Sequence, residues 1–347
     1  MILPQTYSAA LLVMVLSMLC LGSWANAYKL AGKWRFELFY YDFAIGFVLA
    51  AVLYALTVGN LGFDGFKLTD DIFHAGKRQW FFAILVGAVL NLGTMLLVGA
   101  ISVAGMAVAF PLSMGLALLM GVFVNPLIKQ AGSPLYLALG DVLLVAAVLA
   151  CATAYHSTCV LRVRALAAEG KVKRRTSPGA GKGIILSLVS GLILSLVAPL
   201  TGLATTEEIG LGPYALTVLC GVGLVVSTFV YNLFFMNLPL EGEPLEVLDY
   251  LKGSLRGHFF GWLGGMVWCT GILAGWVAYL NPVGVPYGVS YALAGGGAVL
   301  ASLWGLVAWR DFKAGGGMEK GMGWLAVLLF AGGVALVSLA ILKGHPA

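Results

Sequence analysis

Charge is what this 347-residue sequence has least of. Asp, Glu, Lys and Arg make up 10% of it, against about 25% in soluble domains. Two stretches, Gln79–Ile128 and Gly257–Trp309, hold none of the four over 50 and 53 residues. Each is too long for one bilayer crossing and long enough for two, since roughly 20 apolar residues span a membrane. Cysteine is sparse and odd in number. Cys20, Cys151, Cys159, Cys220 and Cys269 are scattered through apolar segments, which argues against a disulfide framework or a metal cluster. The four histidines (His74, His156, His258, His345) lie near span ends or in loops without metal-ligand spacing, so neither a metal nor a cofactor is expected. No basic region precedes the first apolar run, and a secretory signal peptide is not expected.

What the sequence has instead is apolar length. Hydrophobic residues make up 61% of it, glycine numbers 47 and the mean hydropathy is +0.97, as in helices that pack closely in lipid. Ten spans of crossing length are expected near Tyr7–Tyr28, Leu38–Val58, Trp80–Gly99, Ser102–Val124, Leu135–Thr158, Gly183–Thr205, Pro213–Met236, Phe259–Tyr279, Pro286–Trp309 and Met322–Leu342. A basic linker, residues 161–182 with Lys171-Val172-Lys173-Arg174-Arg175 at its centre, separates residues 1–160 from 183–347. The two halves echo one another. At an offset of 178, Phe81-Phe82 falls on Phe259-Phe260, and Leu85, Gly87, Val89, Gly93 and Ala100 fall on Leu263, Gly265, Val267, Gly271 and Ala278. Five helices per half is an odd number, so the halves would be oppositely oriented. The expected fold is an all-α polytopic membrane protein, ten transmembrane helices as a 5+5 inverted repeat.

Orientation follows from Lys and Arg in the loops. Loops after odd-numbered spans carry 15 of the 20 basic residues, so these loops are expected in the cytoplasm and both termini outside; the expected location is a bacterial inner membrane. The net charge of +5 has the same origin. It fits topology and anionic lipid headgroups rather than nucleic acid.

Enzyme chemistry finds no footing. Gly179-Ala180-Gly181-Lys182-Gly183 departs from a phosphate loop, with Thr176 where a glycine is needed and Gly183 where Ser or Thr is needed. No nucleophile, base and oxyanion donor share one depth. The spans offer uncharged polarity and rings instead. Trp24 lies in the first span, Asn91 and Thr94 in the third, Ser113 beside Pro111 in the fourth, and Thr201 after Pro199 in the sixth. Trp268 and Thr270 lie in the eighth span, and Tyr287, Ser290 and Tyr291 in the ninth. Polar groups facing lipid are costly, so these should point inward, either to tie helices together or to bind a solute. A cavity lined by the first, third, fourth, sixth, eighth and ninth spans is expected. Trp24, Asn91, Ser113, Thr201, Trp268, Thr270, Tyr287 and Tyr291 are the substrate-binding candidates. Acids within spans are few. Asp42 and Asp141 are proton-coupling candidates, the alternative being that they anchor helix ends. Glu207 and Glu208, at the end of the sixth span, read as a solvated helix end. Asn281-Pro282 and Pro286 mark a tight turn into the ninth.

These residues resemble a family. The arrangement is similar to the drug/metabolite transporter superfamily, and within it to the ureide permeases, with the glucose/ribose porters next. The resemblance rests on Gly22-Ser23-Trp24 with Tyr40-Tyr41-Asp42, on Leu90-Asn91-Leu92-Gly93 with Ala100-Ile101-Ser102-Val103-Ala104 and Pro111-Leu112-Ser113, and on Ser195-Leu196-Val197-Ala198-Pro199 with Leu203-Ala204-Thr205-Thr206. Trp304-Gly305-Leu306 with Trp309-Arg310-Asp311-Phe312 adds to it. It implies proton-coupled uptake of a small polar, largely uncharged solute such as a ureide or nucleobase-like heterocycle, by a non-enzymatic permease. A monosaccharide is the alternative cargo, and a non-transporting receptor or scaffold the alternative class. The expected partners are the solute, protons and membrane lipids, with the choice between monomer and homodimer open.

Overall fold

The structure is a computed structural model that describes residues 1–124, 133–171, 179–206, 210–240, 242–280 and 285–344. Among these residues there is no strand, and ten helical stretches are long and apolar enough to cross a membrane. They are Tyr7–Leu30, Phe36–Leu56, Lys77–Ala104, Met106–Phe123, Pro134–Ala168, Ala180–Thr205, Pro213–Asn237, Leu255–Tyr279, Gly288–Ala308 and Gly317–Lys343, the first to tenth spans below. A short helix, Leu68–His74, lies between the second and third. The fifth span runs ten residues past its expected end at Thr158, so Arg162 and Arg164 are helical rather than part of a linker. Leu, Val, Ala and Arg carry the helix on as good or tolerated helix formers, and it stops before Gly170, whose φ is +73°.

Large apolar side chains such as Leu12, Leu53, Val226, Phe259 and Leu328 are exposed, while Ser17, Asn91, Ser113, Ser187, Thr217 and Asn232 are buried. In water this distribution would be reversed. In lipid it is what the solvent requires, since polar groups must find partners inside.

Two spans are discontinuous. The first consists of helices Tyr7–Ser23 and Asn26–Leu30, and the sixth of Ala180–Leu194 and Val197–Thr205. Each break has a local cause. The Asn26 amide donates to the Ser23 carbonyl at 3.0 Å, taking an acceptor the helix would use. Pro199 has no N–H to give the Ser195 carbonyl, and the Ser195 hydroxyl turns back to Leu192 O at 2.7 Å.

The chain packs into two compact units that do not follow its sequence halves. One holds residues 1–95 and 196–297, the other 96–195 and 298–347. In the first unit the second span packs on the seventh and eighth, and the first span on the eighth. Gly46 and Gly265 bring the second and eighth spans backbone to backbone; a Cβ on Gly46 would overlap Trp262 O and one on Gly265 would overlap Phe43 O. In the second unit the fifth span packs on the tenth, and the fourth on the fifth and on the first helix of the sixth.

Candidate functional site

The close approach of the second and eighth spans creates the most elaborate polar construction among the described residues. Asp42, in the second turn of the second span, is fully buried. A buried carboxylate is tolerated only when its oxygens are met, and both are. The Tyr250 hydroxyl donates to Oδ1 at 2.5 Å. His258 Nδ1 lies 2.9 Å from Oδ2 and 3.0 Å from Oδ1. Tyr250 comes from a 3-10 turn, Val247–Lys252, that precedes the eighth span. Burial, and then the Asp42 carboxyl beside it, push the Tyr250 phenol well above its ordinary range, so it keeps its proton and donates. His258 sits one turn into the eighth span, whose start is capped by the Ser254 hydroxyl accepting from Gly257 N at 3.1 Å. Rings wrap the group. The centroid of His258 is 4.7 Å from Tyr250 and 5.2 Å from Trp34, and the Trp34 indole nitrogen faces the carboxyl without reaching hydrogen-bond geometry. Tyr41 and Tyr250 also line a cavity of about 250 Å³.

A second construction is aromatic. Trp24 and Trp268, from opposite halves of the sequence, meet at 6.0 Å, and Phe43 lies 5.2 Å from the first and 5.1 Å from the second. Phe47 adds a face to Trp268 at 5.3 Å. Asn91 is tied to this cluster through its backbone, where its carbonyl accepts from Tyr40 at 3.2 Å. Its side-chain amide nitrogen donates to Leu224 O, Ser227 Oγ and Thr228 Oγ1 at 3.1, 2.7 and 3.0 Å. Asn91 Oδ1, Thr201 Oγ1 and Ser290 Oγ are buried with no hydrogen-bond partner among the described residues. A buried polar atom left unmet costs about 1–3 kcal/mol.

Of the residues singled out from sequence, Trp24, Asp42, Asn91, Thr201, Trp268, Thr270, Tyr287 and Tyr291 belong to the first unit, and Ser113 and Asp141 to the second. Thr270 is turned away from Trp268: it bonds Tyr54 at 2.9 Å and borders a largely apolar cavity of about 340 Å³ with Leu273 and Val277. Ser113 is buried against Ser190 at 2.9 Å, joining the fourth span to the sixth. Tyr291 is buried. Tyr287 begins a helix, with its side chain outside the described residues, as are Glu207, Glu208 and Asn281-Pro282. Asp141 is half-buried, its Oδ1 without a hydrogen-bond partner among the described residues.

Sequence reasoning missed the partners of Asp42. His258, Tyr250 and Trp34 lie up to 216 positions away from it, and no local pattern marks them. It also missed two acids that hold helix starts. Asp71 accepts from Gly212 N at 3.0 and 3.2 Å, just ahead of the seventh span, and Asp311 Oδ2 accepts from Ala107 N at 3.0 Å, in the first turn of the fourth.

No family model and no curated protein matches the chain. Six solved chains do. One, described only as the crystal structure of a protein, is 15% identical, covers 98% of this chain and 99% of its own length, and superimposes with a TM-score of 0.51. That likeness concerns the fold alone.

Proposed function

We propose that the protein is a secondary active transporter of a small, polar, largely uncharged solute, working by alternating access and coupled to protons. The observation that carries this reading is the pair of broken spans. The first and sixth, the opening spans of the two sequence halves, are each interrupted in their second half. Discontinuous helices in corresponding positions of two repeats are characteristic of transporter binding sites, where freed backbone groups meet substrate. The Trp24–Trp268 ring cluster gives a flat heterocycle a stacking surface, and Asn91 Oδ1, Thr201 and Ser290 are acceptors or hydroxyls for its polar edge. A ureide or nucleobase-like ring fits this chemistry, and so does a monosaccharide laid on its apolar face. In this reading the protein works in a bacterial inner membrane with both termini outside, and the coupling proton is taken up at the buried Asp42 site.

The test is a thermal-shift screen of the purified protein against ureides, nucleobases and monosaccharides. A solute at a hundredfold excess over its Kd adds about 2.7 kcal/mol of stability. Hits are then assayed for counterflow in proteoliposomes. Binding followed by counterflow supports the proposal. Binding without counterflow makes the protein a receptor, and the reading is lost.

A further inference from the structure

We infer that Asp42 and His258 form a single proton-binding pair, with His258 Nε2 as the atom that takes the proton and Tyr250 as the group that seals the pair. The inference deepens the proton-coupled reading above and rests on it for its physiological meaning, though not for its chemistry.

A carboxylate only accepts hydrogen bonds, so the imidazole nitrogen lying 2.9–3.0 Å from both Asp42 oxygens carries a hydrogen. In the neutral ring that leaves Nε2 as the bare lone pair. A Cβ on Gly253 would overlap Nε2, and glycine therefore keeps a side chain from blocking that nitrogen. The Gly253 backbone, with φ of −62°, demands no glycine on conformational grounds. His258 keeps 18% of its side chain exposed while Asp42 keeps none, so the pair has one open end, at the histidine. Proton uptake forms an N–H bond at Nε2, breaks none, and converts a carboxylate–imidazole pair of net charge −1 into a neutral carboxylate–imidazolium pair. Release is the reverse.

Three basic groups on the surrounding elements, Arg35, Lys252 and Arg256, are engaged elsewhere. Arg35 pairs with Glu37 at 2.7 Å and donates to Glu243 O at 2.6 Å. On the 3-10 turn Lys252 pairs with Asp249 at 2.6 Å, and on the eighth span Arg256 donates to Leu30 O at 3.0 Å. Tyr41, on the second span, stacks edge-on against Tyr250 at 5.9 Å. Among the described residues, only Tyr250 and His258 are hydrogen-bonded to the Asp42 carboxyl. When the pair is neutral, the imidazolium draws more strongly on the same carboxylate and the short bond from Tyr250 weakens. The turn Val247–Lys252 is then held less tightly, which links proton binding to movement of the segment before the eighth span.

Trp34 supplies a readout that needs no substrate, because an imidazolium quenches an adjacent indole and Trp34 lies against His258. The chain has nine tryptophans, so the signal is the difference between the protein and its Trp34→Phe variant, titrated in lipid nanodiscs. The expected result is a pH-dependent transition in this difference that is absent in His258→Gln. It should move down by about one pH unit or more in Asp42→Asn, since an opposite charge at this distance shifts a partner by 1–3 units. Tyr250→Phe, which keeps the ring and removes only the hydroxyl, should move it up, because the carboxylate loses a competing donor. No transition, or one unmoved in both Asp42→Asn and Tyr250→Phe, overturns the inference. Failure of the solute screen would count against transport and leave this titration untouched. A solute that accumulates under a pH gradient in His258→Gln as in the unaltered protein would overturn the pair's coupling role while transport stood.

Discussion

The two ends of the Asn91 amide stand in different situations. Its amide nitrogen fastens the third span to the seventh, and its oxygen is buried and unmet. Asn91→Leu should lower stability by about 1–3 kcal/mol, read as a fall in melting temperature in detergent. It should also weaken solute binding at least about tenfold if the oxygen contacts solute, tenfold being 1.4 kcal/mol. Gly253 is informative for another reason. Gly253→Ala places a methyl group against His258 and Trp34, whose ring ends can swing aside. The helix should survive, and the Trp34 fluorescence should change while the circular dichroism does not.

At the level of elements, two acids hold helix starts in place, and each makes a prediction. Asp71, on the short helix Leu68–His74, accepts from Gly212 N before the seventh span, and burial pushes its carboxyl up to about 6. The ordinary value is 3.8. Between those two values the folded protein holds a proton that the unfolded chain has released. Stability therefore falls as pH rises through this window and is flat above it. The loss is of order 3 kcal/mol at 1.36 kcal/mol per pH unit. Asp71→Asn should abolish the slope, measured as melting temperature from pH 4 to 7. Asp311 holds the fourth span beside Gly105, which has φ of +88° and against whose Cβ position the carboxyl lies. Gly105→Ala should cost about 1–2 kcal/mol for the left-handed backbone alone and more for the overlap. Asp311→Asn, which keeps an acceptor, should lose less than Asp311→Ala, where a missing cap costs about 1 kcal/mol.

For the whole molecule, ten crossings would place Gln5 and Lys343 on one side of the membrane, and five would put Lys171, after the fifth span, on the other. Single cysteines replacing Gln5, Lys171 and Lys343 in a cysteine-free background should report this with an impermeant maleimide. Positions 5 and 343 should label from one face and 171 from the opposite one. Labelling of all three from the same face would remove the five-plus-five arrangement from consideration.

The ten spans were legible before any coordinates, because crossing a bilayer requires a length of apolar helix, and length and apolarity are local properties of a chain. Asp42 was legible as a candidate for the same reason, an acid where acids are expensive. Its partners were not. His258 read as one more histidine near a span end, and Tyr250 as part of a loop. Neither acquires meaning until Gly46 and Gly265 let the second and eighth spans touch. The residue motif around Asp311 was visible in sequence, but not its task of capping a helix two hundred positions earlier. Likewise the two halves expected from the sequence are stretches of chain order, whereas the compact units take segments from both, because close packing pairs whichever faces fit. Sequence determined which segments enter the membrane. Tertiary structure decided which buried polar atoms meet, since those meetings depend on contacts between residues that the chain order keeps far apart.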